Sequence, residues 1–264
     1  MAEQFTPSSV VSVTRTLSDE TGSHEANDFI VCETPVALSF NGISYAVMMA
    51  TPSDLDDFMR GFAIGEGIVH SSSAIYDIET TYSIQGVDVN ALVSNETAFG
   101  LKDRRRSMAG PSGCGLCGIE SIEQLKREVQ PLVSAKSRGN LPTEVALNRA
   151  LDGLRPLQDI SRKTGGAHAA AWCSQDGEIL ALREDVGRHN ALDKIIGWRA
   201  LNPRDGFLLV SSRASYEMVS KAATAKVTVL VAVSAPTSAA VDTAKQTGLK
   251  LIAFATEGRS AIYS

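Results

Sequence analysis

The last third of the chain alternates short apolar runs with helical segments, and this pattern limits the possible folds more than any other feature. The apolar runs lie at 207–211, 227–234 and 249–255, and the helical segments between them at 215–225 and 238–247. Strands that are apolar on both faces pair in parallel and are covered by helices. The pattern therefore predicts an α/β C-terminal domain with a helix-covered sheet.

The residues that directly follow the three apolar runs mark a candidate binding site. In parallel sheets, ligands bind beyond the carboxyl ends of the strands. The segments expected there are 212–214, 235–237 and 256–259, and each combines small residues with hydroxyl groups or a cation. Such residues suit a ligand that carries phosphate groups or a polar heterocycle.

The first half of the chain predicts an α+β architecture that is rich in hairpins. Apolar residues within 29–50 flank Asn41-Gly42, the strongest two-residue turn signal, and two further strands flank Gln85-Gly86. Between the hairpins, Ser53 is the expected N-cap of an amphipathic helix that ends at Gly65.

Two domains are expected, residues 1–137 and 138–264. Between them, residues 130–142 contain two prolines and a glycine and indicate a linker. A hairpin around Asp176-Gly177 adds antiparallel strands to the second domain, so its sheet is expected to be mixed. Helices are predicted around 147–154 and over 188–198.

Composition excludes several classes of function. The 264-residue chain has a net charge of −5 and four cysteines. It has no general basic field for nucleic acid, no apolar run of the roughly 20 residues that span a membrane, and no secretory signal at its N-terminus. Four cysteines in this length do not form a disulfide scaffold, so a reducing, cytoplasmic location is expected.

Residues 113–118, with the sequence GCGLCG, place Cys114 and Cys117 three positions apart among glycines. Four basic residues within 102–106 precede them, and an amphipathic helical stretch, 119–129, follows. Nearby cations and a helix N-terminus favour the reactive thiolate form of cysteine. We interpret the pair as a sulfur site in an accessible loop.

The spacing of the pair is compatible with three kinds of chemistry. A structural zinc site requires four ligands, and Cys32 and Cys173 are isolated in sequence. A zinc deaminase requires a His-x-Glu before its cysteine pair, whereas His168 follows the pair and has no such glutamate. We therefore predict no metal site. Dithiol exchange and sulfur relay through a persulfide remain equally open on the residues alone.

Several segments together resemble the formate dehydrogenase accessory sulfurtransferase (FdhD) family. The resemblance runs from about residue 29 to the C-terminus, and the motifs agree in order and spacing. They are GCGLCG at 113–118, TGGAHAA at 164–170, REDVGRHNALDK at 183–194, SSRASYEMV at 211–219 and VSAPTS at 233–238.

The resemblance implies a sulfurtransferase. Members of this family take sulfur as a persulfide from a cysteine desulfurase and deliver it to molybdenum or tungsten in the bis(molybdopterin guanine dinucleotide) cofactor, which then enters formate dehydrogenase. The cofactor is cargo and not a resident group. The family also suggests a homodimer in the cytoplasm, and a C-terminal domain similar to the cytidine deaminase fold.

The resemblance also assigns site residues. The persulfide cysteine maps to Cys114, with Cys117 as its partner in relay. The cofactor-binding run is Phe254, Ala255, Thr256, Glu257, Gly258 and Arg259. The chain departs from the family pattern at Thr256, where an arginine is common, and at Ser212, where a glycine is common.

Four further residues have two interpretations each. His168 is interpreted as a buried, hydrogen-bonded histidine rather than a ligand. His189 either contacts a phosphate or guanine or caps a helix, and Asp185 either accepts hydrogen bonds from a guanine edge or stabilises a turn. Arg213 is a further candidate for cofactor binding, because arginine matches phosphate oxygens.

Two alternative functions remain for the whole chain. A non-enzymatic chaperone of the molybdenum cofactor would need the C-terminal loops but not the cysteines. A thiol-disulfide oxidoreductase would need a redox-active Cys114–Cys117 disulfide and no pterin.

Overall fold

The computed structural model of the chain describes residues 8–20, 22–107, 140–256 and 258–264, and for 102–107 it describes the backbone alone. The first part contains β1 (Val10–Asp19), β2 (Gly22–Val31), β3 (Thr34–Phe40), β4 (Ile43–Ala50), α1 (Leu55–Gly65), a 3-10 turn (Ser72–Ala74), β5 (Ile75–Ser83), β6 (Gly86–Val93) and α2 (Asn95–Ser107). The second contains α3 (Glu144–Leu157), α4 (Asp159–Thr164), β7 (His168–Cys173), β8 (Ile179–Asp185), α5 (Arg188–Leu201), β9 (Phe207–Val210), α6 (Tyr216–Thr224), β10 (Val229–Ala232), α7 (Ser238–Thr247), β11 (Lys250–Thr256) and β12 (Arg259–Ile262). Among these described elements, no helix is long and apolar enough to cross a membrane.

The second part is built on a six-stranded sheet with the order β12-β11-β10-β9-β7-β8. Strands β9, β10 and β11 pair in parallel, whereas β7, β8 and β12 pair antiparallel with their neighbours. Every residue of β9 and β10 is buried. The prediction of a mixed, helix-covered sheet with a parallel centre is therefore confirmed.

Helices cover both faces of this sheet. Leu208 and Val210 belong to the hydrophobic cluster that contains residues of α5, α6 and α7. Phe207 and Leu209 belong to a second cluster that contains Leu147 and other residues of α3. Because successive side chains of a strand point to opposite faces, one short apolar strand contributes to both clusters.

The first part contains the hairpin β1–β2 and a four-stranded sheet with the order β4-β3-β6-β5. The predicted turns are confirmed at Asn41-Gly42, where both φ angles are positive, and at Gly86, which follows Gln85. One boundary differs from the prediction. Residues 29–31 belong to β2, which pairs antiparallel with β1, so that Val31 lies opposite Val10.

Helix α1 ends as predicted but begins differently. Gly65 is its last residue, and Gly67 has a φ of 63°. The N-cap is Asp54 and not the expected Ser53, and its side chain makes no capping hydrogen bond. The Asp54 carboxylate lies 3.3 Å from the guanidinium of Arg183 on β8. A tertiary ion pair has thus taken the place of the local cap.

Helices α1 and α5 join the two parts by close backbone contact. A Cβ atom on Gly61 would lie 1.6 Å from the carbonyl oxygen of Asp193, and one on Gly197 would lie 1.9 Å from that of Asp57. Only glycine permits such an approach. The predicted helix at 119–129, the domain boundary at 137/138 and most of the predicted linker lie outside the described residues, so the domain division stays a prediction.

Candidate functional site

The loops that follow the parallel strands meet at one edge of the sheet. The backbone N–H of Ala214 donates to the carbonyl of Ala235 at 3.2 Å, and that of Thr237 donates to Ala214 at 3.0 Å. The N–H of Phe254 donates to the carbonyl of Ser234 at 3.1 Å. The predicted clustering of these segments at the carboxyl edge is therefore confirmed for the described residues.

A pocket of about 460 Å³ opens at this edge, between the strand ends and the helices α3 and α4. This volume lies within the range of small-molecule sites in proteins, roughly 300–1,000 Å³. The sheet side of the pocket is formed by Ala167, His168, Ser211, Val233, Ala255 and Thr256. The helix side is formed by Leu151, Asp152, Leu154, Arg155, Gln158 and Ser161.

A buried carboxylate holds the helix side of the pocket against the sheet. Glu184, at the end of β8, accepts hydrogen bonds from the backbone N–H groups of Ile160 and Ser161 at 2.8 and 2.7 Å. These donors lie in the first turn of α4, where a negative charge is favourable. Glu184 thereby fixes the position of the turn between α3 and α4, which contains Gln158.

The predicted cofactor-binding run divides between two pockets. Ala255 and Thr256 line the pocket described above, whereas Gly258 and Arg259 line a neighbouring pocket of about 440 Å³ beside the start of α3. Phe254 is 39% exposed and adopts a φ of 52° where the β11–β12 pairing is irregular.

One contact ties this run to α3, because the N–H of Gly258 donates to the Asn148 side-chain oxygen at 3.3 Å. Glu257 lies outside the described residues. Cofactor binding by Phe254, Ala255, Thr256, Glu257, Gly258 and Arg259 stays a prediction.

His168 lies on the pocket wall and is half-buried. Its ring makes no hydrogen bond with the described residues, so the interpretation as a buried, hydrogen-bonded histidine is wrong. Burial lowers the pKa of His168, and the nearby charges of Arg188 and His189 lower it further. The imidazole is therefore neutral at pH 7 and can both donate and accept a hydrogen bond.

Asp185 stabilises the turn before α5, the second of its two interpretations. It is fully buried, and its carboxylate lies 2.7 Å from the Lys194 ammonium. It also accepts hydrogen bonds from the backbone N–H groups of Thr51 and Gly187 and from the Asn190 amide, at 3.0, 2.8 and 3.0 Å. Four donors occupy the acceptor sites of one carboxylate, so none remains for a guanine edge.

The basic side chains His189, Arg188 and Arg213 differ in their contacts with the described residues. The His189 ring nitrogen lies 2.8 Å from the Glu217 carboxylate, although the contact lacks hydrogen-bond geometry. The Nε atom of Arg188 is buried without a hydrogen-bond partner among the described residues. Arg213 is exposed at the carboxyl edge, and its guanidinium also lacks a described partner.

The predicted catalytic cysteines, Cys114 and Cys117, lie outside the described residues. Of the cysteines that the structure describes, Cys32 is half-buried and Cys173 is buried, and both are free thiols. Burial raises the pKa of Cys173 to about 12. Cys173 is therefore a buried, unreactive side chain.

Sequence reasoning missed the polar side chains on α3. Asp152, Arg155 and Gln158 recur at intervals of three residues, which places them on the same side of the helix and its C-terminal cap. That spacing was a usable signal, but only the tertiary structure shows that this side faces the strand ends.

Comparisons with known proteins agree with the motifs. A model of the FdhD/NarQ family matches residues 31–264. A "Sulfur carrier protein FdhD" from Chromobacterium violaceum is 49% identical over 86% of this chain and 85% of its own length. One from Bordetella petrii is 45% identical over 92% and 87% of the two chains.

A solved structure shows the same fold. It is a candidate formate dehydrogenase accessory protein from Desulfotalea psychrophila, with a TM-score of 0.77 and 21% identity over 97% of this chain and 96% of that one. The matched motifs, the family model and the level of identity lead to one conclusion: this chain belongs to the FdhD/NarQ family.

Proposed function

We propose that this protein is a sulfur carrier that serves formate dehydrogenase. Relatives that are 45–49% identical over most of the chain are named sulfur carrier proteins. The pocket at the carboxyl edge supports a role in binding a small polar ligand, because it combines apolar walls with a few polar side chains. The observation that carries the proposal is the similarity to sulfur carrier proteins over most of the chain, and it is supported by this pocket, which Ala255 and Thr256 of the predicted cofactor-binding run line.

In the proposed reaction, the Cys114 thiolate attacks the terminal sulfur of a persulfide on a cysteine desulfurase. A sulfur–sulfur bond forms on Cys114, and the desulfurase cysteine leaves as a thiolate, so no external oxidant or reductant is needed. Cys117 is the partner thiol in relay. In the delivery step the Cys117 thiolate attacks the inner sulfur on Cys114, so that a Cys114–Cys117 disulfide forms and the outer sulfur leaves as hydrosulfide. The hydrosulfide binds molybdenum or tungsten in the bis(molybdopterin guanine dinucleotide) cofactor, which is the substrate and cargo, and a cellular thiol reduces the disulfide for the next cycle.

The finer structural and cellular assignments belong to the same proposal. The protein acts as a sulfurtransferase enzyme in the cytoplasm and forms a homodimer, whose symmetry would present two equivalent sites to a cofactor with two nucleotide arms. Its domains are 1–137 and 138–264, and the second resembles the cytidine deaminase fold. The helix-covered mixed sheet supports that likeness.

The cofactor chaperone remains a second candidate, because every described residue of the pocket lining belongs to the second part of the chain. The test is the intact mass of the protein after incubation with a cysteine desulfurase and cysteine. We expect the wild type to gain one sulfur atom, which reduction removes, and Cys114→Ala to gain none. Cys32→Ala is the matched control and should gain sulfur like the wild type.

Two outcomes would contradict the carrier proposal. If the wild type gains no sulfur, the chaperone is favoured. If Cys114→Ala still gains a reducible sulfur, the carrier is a different residue. A Cys114–Cys117 disulfide that turns over protein disulfides without a pterin would instead support the thiol-disulfide oxidoreductase.

A further inference from the structure

The ribbon formed by β1 and β2 belongs to neither of the two larger sheets. Its strands pair antiparallel over their full length, from Val10 opposite Val31 to Asp19 opposite Gly22, without a bulge. Most of its residues are exposed. A two-stranded ribbon is at best marginally stable in water, whereas a sheet of three or more strands can be stable. Its two edges are the places where further strands can be added.

The hydrogen bonds of the ribbon show which backbone groups of β1 point away from β2. The N–H of Cys32 donates to the carbonyl of Ser9 at 2.9 Å, directly before the first pair. Bonded and non-bonded pairs alternate in an antiparallel ladder, so the backbone groups of every second residue face outward. In β1 these residues are Val10, Ser12, Thr14, Thr16 and Ser18.

Only the first of these five positions has a partner among the residues that the structure describes. The Ser8 hydroxyl donates to the carbonyl of Val10 at 2.7 Å and accepts from its N–H at 3.3 Å. The outward N–H and C=O groups of Ser12, Thr14, Thr16 and Ser18 make no hydrogen bond with the described residues. Beyond Ser8, β1 therefore presents an open edge of a sheet.

This edge lacks the features that usually prevent pairing with another strand. Such features are proline, lysine, exposed charges and bulges. Residues 10–18 contain no proline or lysine, and five of the nine are β-branched, which favours strands. Their one charged residue, Arg15, forms an ion pair with Asp28 of β2 at 2.8 Å. The edge of β1 is therefore suited to pairing.

The edge of β2 differs from that of β1. By the same alternation, Glu25 is one of its outward-facing residues and places a charge there. At the base of the ribbon, Val31 lies so close to Gly166 that a Cβ atom on this glycine would be 2.8 Å from the valine side chain. The body of the protein thus covers one end of the β2 edge, and β1 is the edge left for a partner.

We propose that β1 pairs with β1 of a second copy of this chain and forms a four-stranded sheet across a two-fold axis. A two-fold axis makes two identical edges run antiparallel and brings the same surface of both copies together. The added strands supply the contacts that a two-stranded ribbon lacks. This inference rests on the homodimer of the proposed function and names the surface that forms it.

The side chains favour a register with Thr14 opposite the partner's Thr14. This register pairs all residues from 10 to 18. It places Ser12 opposite the partner's Thr16 and Val11 opposite the partner's Leu17, and such hydroxyl and apolar pairs stabilise sheets. Moving the axis by one residue would place Arg15 opposite the partner's Arg15, and like charges in this position are destabilising.

The extent of this contact is that of a stable interface. The three central pairs would exchange two hydrogen bonds each, about six in total, and a typical interface has about 10 ± 5. The paired edge is about 30 Å long. One partner's share of a standard interface is roughly 800 Å², a patch about 32 Å across. The edge of β1 therefore spans such an interface.

The first test is disulfide trapping of Thr14→Cys in the full-length protein. In the proposed register, the two Cα atoms at position 14 lie about 5.5 Å apart, which a disulfide can bridge. We expect a cross-linked dimer on non-reducing electrophoresis, with the position-14 peptides joined to each other by mass spectrometry. Thr16→Cys is the matched control and should form no such link with itself, because its two Cα atoms would be roughly 14 Å apart.

The second test is Thr14→Pro, which removes an outward N–H and leaves the hydrogen bonds between β1 and β2 in place. Two hydrogen bonds across the axis are lost, so the dissociation constant of the dimer should rise at least about tenfold, as measured by analytical ultracentrifugation. Asn27→Pro makes a proline at the residue opposite Thr14, on the other edge of the ribbon, and should dimerise like the wild type.

Three outcomes would overturn the inference: a monomeric wild type, no position-14 link in Thr14→Cys, or a dimer that Thr14→Pro leaves unchanged. If Thr14→Pro does not fold, as circular dichroism would show, the trapping experiment still decides the result. Failure of the carrier proposal is seen separately, in the sulfur gain of the wild type. A dimer that persists without the position-14 link would contradict this surface alone.

Discussion

The junction of α1 with α5 and the pocket at the carboxyl edge both contain polar side chains, but only the junction pairs them with each other. In the junction, Asp185 and Lys194 form a fully buried ion pair at 2.7 Å, and the Lys194 ammonium also donates to the carbonyls of Thr51 and Glu184. Buried charges persist in proteins when paired and hydrogen-bonded in this way. These groups hold the two parts of the chain together.

Three further ion pairs, formed by Arg183 and Lys221, connect neighbouring elements to the same junction. The Arg183 guanidinium donates to the Asp57 carboxylate at 2.7 and 2.9 Å, which links β8 to α1. The Lys221 ammonium of α6 lies 2.6 Å from Asp193 on α5 and 3.0 Å from Glu66, the residue that follows α1. Together these ion pairs connect β8, α1, α5 and α6 at the junction.

The pocket shows the opposite arrangement. The side chains of Asp152, Arg155 and Gln158 have no hydrogen-bond partners among the described residues, although Gln158 is buried. The comparison teaches that the charged side chains of the junction pair mainly with each other, whereas those of the pocket wall face the pocket.

The largest effect is expected from breaking the junction. Lys194→Met leaves the Asp185 carboxylate buried without its counter-charge, so the free energy of unfolding should fall by about 3–5 kcal/mol. Urea unfolding followed by circular dichroism measures this change. Lys245→Met, at an exposed position on α7, should change it little. A loss below about 1 kcal/mol for Lys194→Met would show that the ion pair does not hold the junction.

A smaller effect is expected from the pH dependence of the junction. Burial raises the pKa of Asp193 to about 6 despite the attraction of Lys221, and one Asp193 oxygen has no hydrogen-bond partner. Between about pH 4 and 6, the folded state holds a proton that the unfolded state has released. Asp193 should therefore lower the free energy of unfolding as pH rises through this window, by at most about 1.4 kcal/mol per pH unit.

This contribution is measured by urea unfolding of the wild type and Asp193→Asn between pH 4 and 7. The difference between the two curves should change from about pH 4 to 6 and stay constant above that. Asp242→Asn removes an exposed carboxylate and should keep the wild-type pH dependence. If Asp193→Asn also keeps it, Asp193 is ionised throughout this pH range.

The smallest effect on stability is expected in the pocket. Gln158→Met and Asp152→Asn remove no hydrogen bond within the described structure, so each should change the free energy of unfolding by less than about 0.5 kcal/mol. The same urea experiment tests this expectation. A loss above about 1 kcal/mol for either variant would mean that the side chain has a structural partner, and would remove the contrast with the junction.

The local elements were largely predictable from sequence. Asn41-Gly42 forms a turn in any context that allows positive φ angles, and Ser215 caps α6 by accepting a hydrogen bond from the N–H of Met218 at 3.4 Å. The start of α1 was not predictable, because the Asp54 carboxylate forms an ion pair with Arg183, which is far away in sequence. Local signals fail where a distant partner offers a stronger interaction.

The candidate site was likewise predictable from sequence in part. The strand–helix alternation predicted which loops share the carboxyl edge, and the motifs identified the family. Cofactor binding by the run from Phe254 to Arg259 follows from the resemblance and stays a prediction. The roles of His168 and Asp185 were not predictable, because their surroundings are formed by several separate segments of the chain. Gln158 carries no local signal that its side chain would be buried on the pocket wall.

The sequence by itself determined the order of elements, the parallel centre of the sheet and the family, because these depend on periodicity, turn residues and motif spacing within short segments. Only the tertiary structure decided which polar groups are paired. Asp185 binds the backbone of Thr51, 134 residues away, while Gln158 meets no such partner. Hydrogen bonds depend on positions in space to within fractions of an ångström, and those positions arise only when distant segments pack together.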